Sequence, residues 1–123
     1  MNITLQKSKI AKESIIKITG SKSESNRLLL LQALYPNIEI VNVSNSDDSK
    51  LMKNALSSAL STIDIHHAGT AMRFLTAYFS LQEGKEIVLT GSSRMQERPV
   101  KILVDALKDL GADISYLNSL HHA

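Results

Sequence analysis

The sequence predicts an α/β (α+β) fold built from repeated β-α-β units, with helices covering a sheet. Three observations carry that prediction. Short β-branched runs alternate with longer stretches of apolar residues at helical spacing. Glycine, serine or proline stands at nearly every junction between them. Hydrophobic residues make up 43% of the 123-residue chain and charged residues 21%, the balance of a chain that buries a core.

Met1 to Gln6 and Glu13 to Thr19 read as strands, the second ending at Gly20. A helix follows, capped by Ser21 or Ser23, and its apolar stretch Leu28 to Leu34 stops at Tyr35-Pro36. Asn37 to Val43 reads as a strand. Ser44 to Asp48 is a turn and cap cluster that opens a helix carrying Leu51, Met52, Ala55, Leu56 and Ala59. Thr62 to Ile65 is a short strand and Thr70 to Leu81 a helix, with Gly69 at its mouth and Gly84 past its end. Glu86 to Thr90 is a strand and Gly91 to Glu97 a loop. Pro99 takes the first position of a helix that ends at Gly111, and Asp113 to Leu117 starts another strand. A faint repeat links the helices: Lys50-Leu-Met-Lys-Asn-Ala-Leu56 resembles Lys101-Ile-Leu-Val-Asp-Ala-Leu107.

Composition excludes several classes. With no cysteine there is no disulfide framework, thiolate zinc site or cysteine nucleophile. The longest apolar run, Leu28 to Leu31, is far below the ~20 residues that span a bilayer, and the reading is a cytoplasmic chain. A net charge of +2 with 4% aromatic residues argues against a nucleic-acid partner. The adjacent pairs His66-His67 and His121-His122 lack the helical spacing of metal ligands, so no metal is assigned.

Three strand-to-helix junctions carry the functional argument. Gly20-Ser-Lys-Ser-Glu-Ser-Asn-Arg27 offers orphan backbone N–H groups and the positive end of a helix dipole, with Lys22 and Arg27 adding full charges and Ser23 a hydroxyl. His67-Ala-Gly-Thr-Ala-Met-Arg73 lets a ligand approach the backbone at Gly69, with Arg73 one turn in as a bidentate donor. Gly91 to Pro99 holds Arg94 and Arg98, one to bind an anion and the other to pair with Glu97 and stiffen the loop. Each junction alone also reads as a capped helix with solvated cations. Together, on one kind of junction, they predict a convergent anion site.

Gly20 to Arg27, Ser46-Asp-Asp48, Ala68 to Arg73, Leu89-Thr-Gly91, Arg94 to Pro99 and Leu103 to Leu107 followed by Gly111-Ala112 resemble, in that order, the N-terminal signature of 5-enolpyruvylshikimate-3-phosphate synthases. The related UDP-N-acetylglucosamine enolpyruvyl transferases are not similar at the serine-rich and Ala-Gly-Thr-Ala-Met-Arg segments. The resemblance implies part of an inside-out α/β barrel: residues 1–12 a strand of the other lobe, 13–123 an incomplete N-terminal substrate-binding lobe. It implies transfer of the enolpyruvyl group of phosphoenolpyruvate to the 5-hydroxyl of shikimate 3-phosphate, releasing phosphate, with no cofactor.

Carried across by residue, Lys22, Ser23 and Arg27 are shikimate 3-phosphate contacts, Lys22 also reaching phosphoenolpyruvate as a catalytic group. Gly69 and Arg94 are phosphoenolpyruvate contacts, with Arg73 and His67 at the pocket's edge. The family commonly has Asn and Pro where this chain has His67 and Phe74. Its members run to several hundred residues in two lobes, so the expectation is a segment inactive alone, from a monomeric parent and itself able to self-associate. The alternative is a stand-alone anion-binding half-domain with a binding or regulatory role.

Overall fold

The computed structural model describes residues 1–117, so His121 and His122 lie outside the described residues. The elements run α1 (Lys22–Leu34), α2 (Asp47–Ser57), β1 (Thr62–Asp64), α3 (Gly69–Ser80), β2 (Val88–Thr90), α4 (Ser93–Gln96) and α5 (Lys101–Asp109).

Each helix starts where a side chain or a carbonyl can satisfy its first N–H groups. Ser21, rather than Ser23, caps α1 by accepting from the Glu24 N–H at 3.4 Å. Ser46 caps α2 by accepting from the Ser49 N–H at 3.3 Å, and Asp47 and Asp48 in the first turn complement the helix dipole. The N-cap of α3 is Ala68, which has no side-chain bond to offer. The Gly91 to Glu97 loop contains the four-residue helix α4, capped by Ser92.

Pro99 is not at the first position of α5, which begins two residues later at Lys101 with Val100 as its N-cap. The Pro99 carbonyl is taken by the Arg73 side chain, and the first helical acceptor is the Val100 carbonyl, bonded by the Val104 N–H at 3.0 Å. At its other end α5 closes in a Schellman motif. Gly111, at φ +100, donates to the Lys108 carbonyl at 2.8 Å and Ala112 to the Leu107 carbonyl at 2.9 Å.

β1 and β2 pair in parallel, Thr62 opposite Val88 and Asp64 opposite Thr90, with α3 as the crossover. This is one β-α-β unit. Met1 to Gln6, Glu13 to Thr19, Asn37 to Val43 and Asp113 to Leu117 form no strand, and the other two predicted strands are shorter than expected. Extended backbone becomes a strand only where a neighbour accepts and donates its hydrogen bonds. Among the described residues, 1–19 have no such neighbour, and they are exposed throughout. Asn37 to Val43 is broken by Asn42, held in the left-handed region at φ 57.

The core joins Leu29 of α1, Met52 and Ala55 of α2, Ile63 and Ile65 on and beside β1, Ala68, Ala71 and Leu75 in and before α3, and Met95 of α4. Burying these side chains against one another fixes where the helix starts of α1, α2 and α3 lie.

Candidate anion site

The N-terminal ends of α1 and α2 are joined by a chain of hydrogen bonds among small polar side chains. Ser25 Oγ accepts from the Ser44 N–H at 2.8 Å, and Ser44 Oγ accepts from the Ser46 N–H at 3.2 Å. Ser46 Oγ donates to Ser49 Oγ at 3.1 Å, which donates to Asn26 Oδ1 at 2.9 Å. Ser25, Asn26, Ser44 and Ser49 are all buried, so these bonds are made away from competing water. Gly20 permits the approach. A Cβ there would fall 2.0 Å from the Asn42 carbonyl oxygen.

On the outer side of this junction stand the predicted cations of α1. Lys22 Nζ lies 3.6 Å from Asp48 Oδ2, with half of the lysine side chain still exposed. Arg27 Nη1 donates to the Ser23 carbonyl at 2.8 Å, and its guanidinium stacks over the Phe74 ring at 5.5 Å from the centroid. Arg27 therefore bridges α1 to the first turns of α3. Its aromatic partner is one of the two residues at which this chain departs from the pattern it resembles, the other being His67.

The mouth of α3 is built by a strained turn. Asp64 Oδ1 accepts from the His66 N–H at 2.8 Å, holding His66 at φ 47, outside the usual range for a residue with a Cβ. The turn brings His67 Nδ1 to 2.9 Å from Ser92 Oγ, across to α4. Gly69 is buried, and a Cβ there would fall 2.3 Å from Arg98 Nη1, so the Arg98 guanidinium lies directly against this glycine. Arg73 Nη1 donates to the Gly69 carbonyl and Nη2 to the Pro99 carbonyl, each at 3.2 Å. It ties the first turn of α3 to the segment ahead of α5.

Arg94 is exposed on α4, and among the described residues it has no hydrogen-bond or ion-pair partner. Glu97 pairs with neither Arg94 nor Arg98, against the expected division of labour in that loop. The loop is stiffened instead by the Ser92 cap and by Gln96 Nε2, which donates to the Gly91 carbonyl at 2.9 Å.

His67, Gly69 and Arg73 are thus joined to the Gly91 to Pro99 loop, while Arg27 reaches α3 from α1. Lys22 and Ser23 share the first turn of α1 and, among the described residues, form no hydrogen bond or ion pair to α3 or α4, and Lys22 is held by α2. The sequence reading named Arg98 as an anion binder or a partner of Glu97, and Asp48 as part of a cap cluster, but did not foresee the contacts that Asp48, Phe74, Ser92 and Arg98 make here. Only Ser92 carried a local signal, a serine three residues before the buried Met95. The other three act through contacts between segments 24 or more residues apart. Chemically, the arrangement offers guanidinium and ammonium groups beside two helix N-termini, a setting for carboxylate or phosphate oxygens. A shallow apolar hollow lined by Leu81, Leu107, Leu110 and Ala112 lies at the far end of α3, about 17 Å along the helix from Gly69. It takes no part in this arrangement.

Comparison with known proteins gives concordant results. The profile of the family described as EPSP synthase (3-phosphoshikimate 1-carboxyvinyltransferase) matches residues 56–123. A 3-phosphoshikimate 1-carboxyvinyltransferase of Bacteroides fragilis strain YCH46 is 46% identical over 108 residues, covering 87% of this chain and 26% of the relative. A pentafunctional AROM polypeptide of Scheffersomyces stipitis is 40% identical over 141 residues, covering 89% of this chain and 9% of that protein. The corresponding enzyme of Shewanella woodyi is 38% identical, covering 87% of this chain and 31% of the relative. The chain therefore spans about a quarter of the length of the Bacteroides relative. No solved structure matches it significantly.

Proposed function

Because the chain belongs to the EPSP synthase (3-phosphoshikimate 1-carboxyvinyltransferase) family, we propose that it supplies the N-terminal anion clamp for enolpyruvyl transfer from phosphoenolpyruvate to the 5-hydroxyl of shikimate 3-phosphate. In this reading residues 13–123 are part of a substrate-binding lobe of the inside-out α/β barrel, residues 1–12 a strand of the other lobe, and the setting is cytoplasmic.

The observation that supports it is the cation layout. Lys22 and Arg27 stand on the first turns of a capped 13-residue helix, and Arg27 also contacts α3, whose mouth carries Arg98 against Gly69. Both substrates bear a carboxylate and a phosphate, so bringing them together means overcoming mutual repulsion, which fixed cations do without reorganising. Ser23 and Arg27 hold shikimate 3-phosphate. Lys22, oriented by Asp48, faces both substrates and stabilises phosphate as it leaves. Gly69 and Arg94 take phosphoenolpyruvate, with Arg73 and His67 shaping the edge. The shikimate 5-hydroxyl oxygen bonds to the transferred carbon and gives up its proton, while the methylene gains a proton and becomes a methyl group. Breaking of the bond from that carbon to the phosphate oxygen expels phosphate, and loss of one methyl proton restores the carbon–carbon double bond, now as an enol ether.

Calorimetry of the chain with shikimate 3-phosphate tests the clamp. Heat of binding in the parent chain that vanishes in Lys22→Ala is the expected result, and a parent chain that binds nothing would sink the reading. A phosphate-release assay with both substrates separates the two roles. Binding without turnover by the chain alone fits either a segment of an enzyme or a stand-alone anion-binding half-domain. Turnover restored by adding the remainder of a family-length enzyme selects the former.

A further inference from the structure

The two cations of α1 are held in opposite ways. Lys22 lies beside a carboxylate, 3.6 Å from Asp48 Oδ2. Arg27 forms no ion pair among the described residues. Its guanidinium is fixed from two other directions: Nη1 donates to the Ser23 carbonyl at 2.8 Å, one turn back along α1, and the Phe74 ring lies 5.5 Å away, centroid to Cζ. Phe74 is half-buried and packed against the core, so the ring that meets Arg27 is held by the fold. Its neighbour Arg73 anchors the same turn of α3 by donating to the Gly69 and Pro99 carbonyls.

The difference matters at an anion site. A carboxylate that orients a cation also neutralises it, and an incoming anion must compete with that partner. An aromatic ring attracts the cation through its quadrupole and carries no net charge. A guanidinium held by its planar face also keeps free the N–H edge that forks onto a carboxylate or phosphate. The Ser23 carbonyl takes one bond from Nη1, and the other N–H donors of the Arg27 side chain have no partner among the described residues.

We propose that Phe74 is a positioning residue for anion binding by Arg27: its ring sets the guanidinium in place before the ligand arrives, without neutralising it. The proposal rests on the clamp described above, in which Arg27 holds shikimate 3-phosphate. A long side chain ordered in advance loses less freedom on binding, so the contribution of the ring appears in affinity. The pattern this chain resembles commonly has proline here, a residue with no π face to offer, so this way of holding Arg27 is written in the chain's own sequence.

Nuclear magnetic resonance of the ligand-free chain reads the contact, and calorimetric titration with shikimate 3-phosphate reads its consequence. Three replacements separate the causes. Phe74→Leu removes the ring and keeps apolar bulk, Phe74→Tyr keeps the ring, and pentafluorophenylalanine in place of Phe74 keeps its shape while reversing its quadrupole. The Arg27 Nε–H resonance, shifted by the ring current in the parent chain, should move toward that of exposed Arg94 in Phe74→Leu and stay in place in Phe74→Tyr. Affinity should fall roughly 2- to 30-fold in Phe74→Leu and with the fluorinated ring, and Phe74→Tyr should lie within about twofold of the parent chain. Urea denaturation of each variant checks that the fold is kept. Affinity unchanged in Phe74→Leu overturns the proposal and leaves the clamp standing. So does a loss in Phe74→Leu that the fluorinated ring does not share, which marks packing alone. Arg27→Ala tests the clamp separately: a parent chain that binds nothing, or binding that survives Arg27→Ala undiminished, overturns clamp and proposal together.

Discussion

Replacing Gly69 by alanine isolates the link between the mouth of α3 and the Gly91 to Pro99 loop. Gly69 opens a regular helix with no positive φ, so its backbone accepts an alanine, and helix propensity favours the change by up to about 1 kcal/mol. The obstacle is one atom, Arg98 Nη1, which a Cβ would meet at 2.3 Å; Arg98 Cζ at 3.5 Å and Met95 Cε at 3.6 Å are ordinary contacts. Nη1 must retreat by about 1 Å to reach van der Waals distance. A long exposed side chain does that for about 0.5–1.5 kcal/mol of rotamer strain.

The two terms offset, so Gly69→Ala should change unfolding free energy by no more than about 1 kcal/mol in a urea titration. Anion binding should suffer far more. In the proposed clamp phosphoenolpyruvate lies at Gly69, the glycine that the Arg98 guanidinium also lies against, and moving that guanidinium off the anion would remove a charge-assisted hydrogen bond of about 1.5–3 kcal/mol, which is roughly 10- to 150-fold in phosphoenolpyruvate affinity with shikimate 3-phosphate saturating. Arg98→Lys should weaken binding too, and the double variant should lose less than the sum, since both changes act on one contact. Unchanged affinity in Gly69→Ala, or additive losses, would refute the coupling. A ligand-free readout is the Arg98 side-chain Nε resonance, which should move in Gly69→Ala whether or not the chain binds substrate.

Gly20→Ala should behave in the opposite way. Its Cβ would fall 2.0 Å from a backbone oxygen of Asn42, which has no flexible end to swing aside, so a loss of about 1–3 kcal/mol or more is expected by chemical denaturation. Ser49→Ala removes the hydroxyl that donates to buried Asn26 Oδ1, and Asn26 Nδ2 already has no partner among the described residues; a cost of about 1–3 kcal/mol in the same measurement is expected. Lys101 has its pKa raised above 10.5 by its hydrogen bond to Asp105 and the attraction of that carboxylate. A raised cation pKa stabilises the fold below the unfolded value and loses that contribution as pH climbs through the folded value. The difference in melting temperature between the parent chain and Lys101→Met should therefore be constant at neutral pH and shrink only above pH 10.5. A difference that fades near pH 7 would contradict it.

The helices were legible because their signals are local. Ser21 and Ser46 stand where caps are needed, Tyr35-Pro36 ends α1, and Gly111 supplies the left-handed residue that closes α5. Strands were legible only in part, with β1 and β2 inside predicted runs and four other runs unpaired, because a β-branched run states a preference and a ladder needs a partner. Glu13 to Thr19 has the composition of a strand and remains bare, while Val88 to Thr90 pairs because α3 returns the chain alongside β1. The same division runs through the candidate site. Lys22, Arg27 and Gly69 could be named as candidates from glycine- and serine-rich junctions, since charge beside a helix start is written in adjacent residues, whereas the last loop offered Arg94 and Arg98 alike and only the family resemblance chose Arg94.

By itself, then, the sequence determined the boundaries of α1, α2, α3 and α5 to within about two residues while reading α4 as loop, and it determined the α/β class and the family, all of which rest on neighbours along the chain. Only the tertiary structure decided that Lys22 leans on Asp48, that Arg27 stacks on Phe74, that Arg98 rather than a paired Glu97 occupies the face of Gly69, and that Arg73 is spent on two carbonyls. These choices depend on distances between segments that packing alone brings within a few ångströms. Two arginines four residues apart in one loop meet different surroundings only once the loop has been laid against α3.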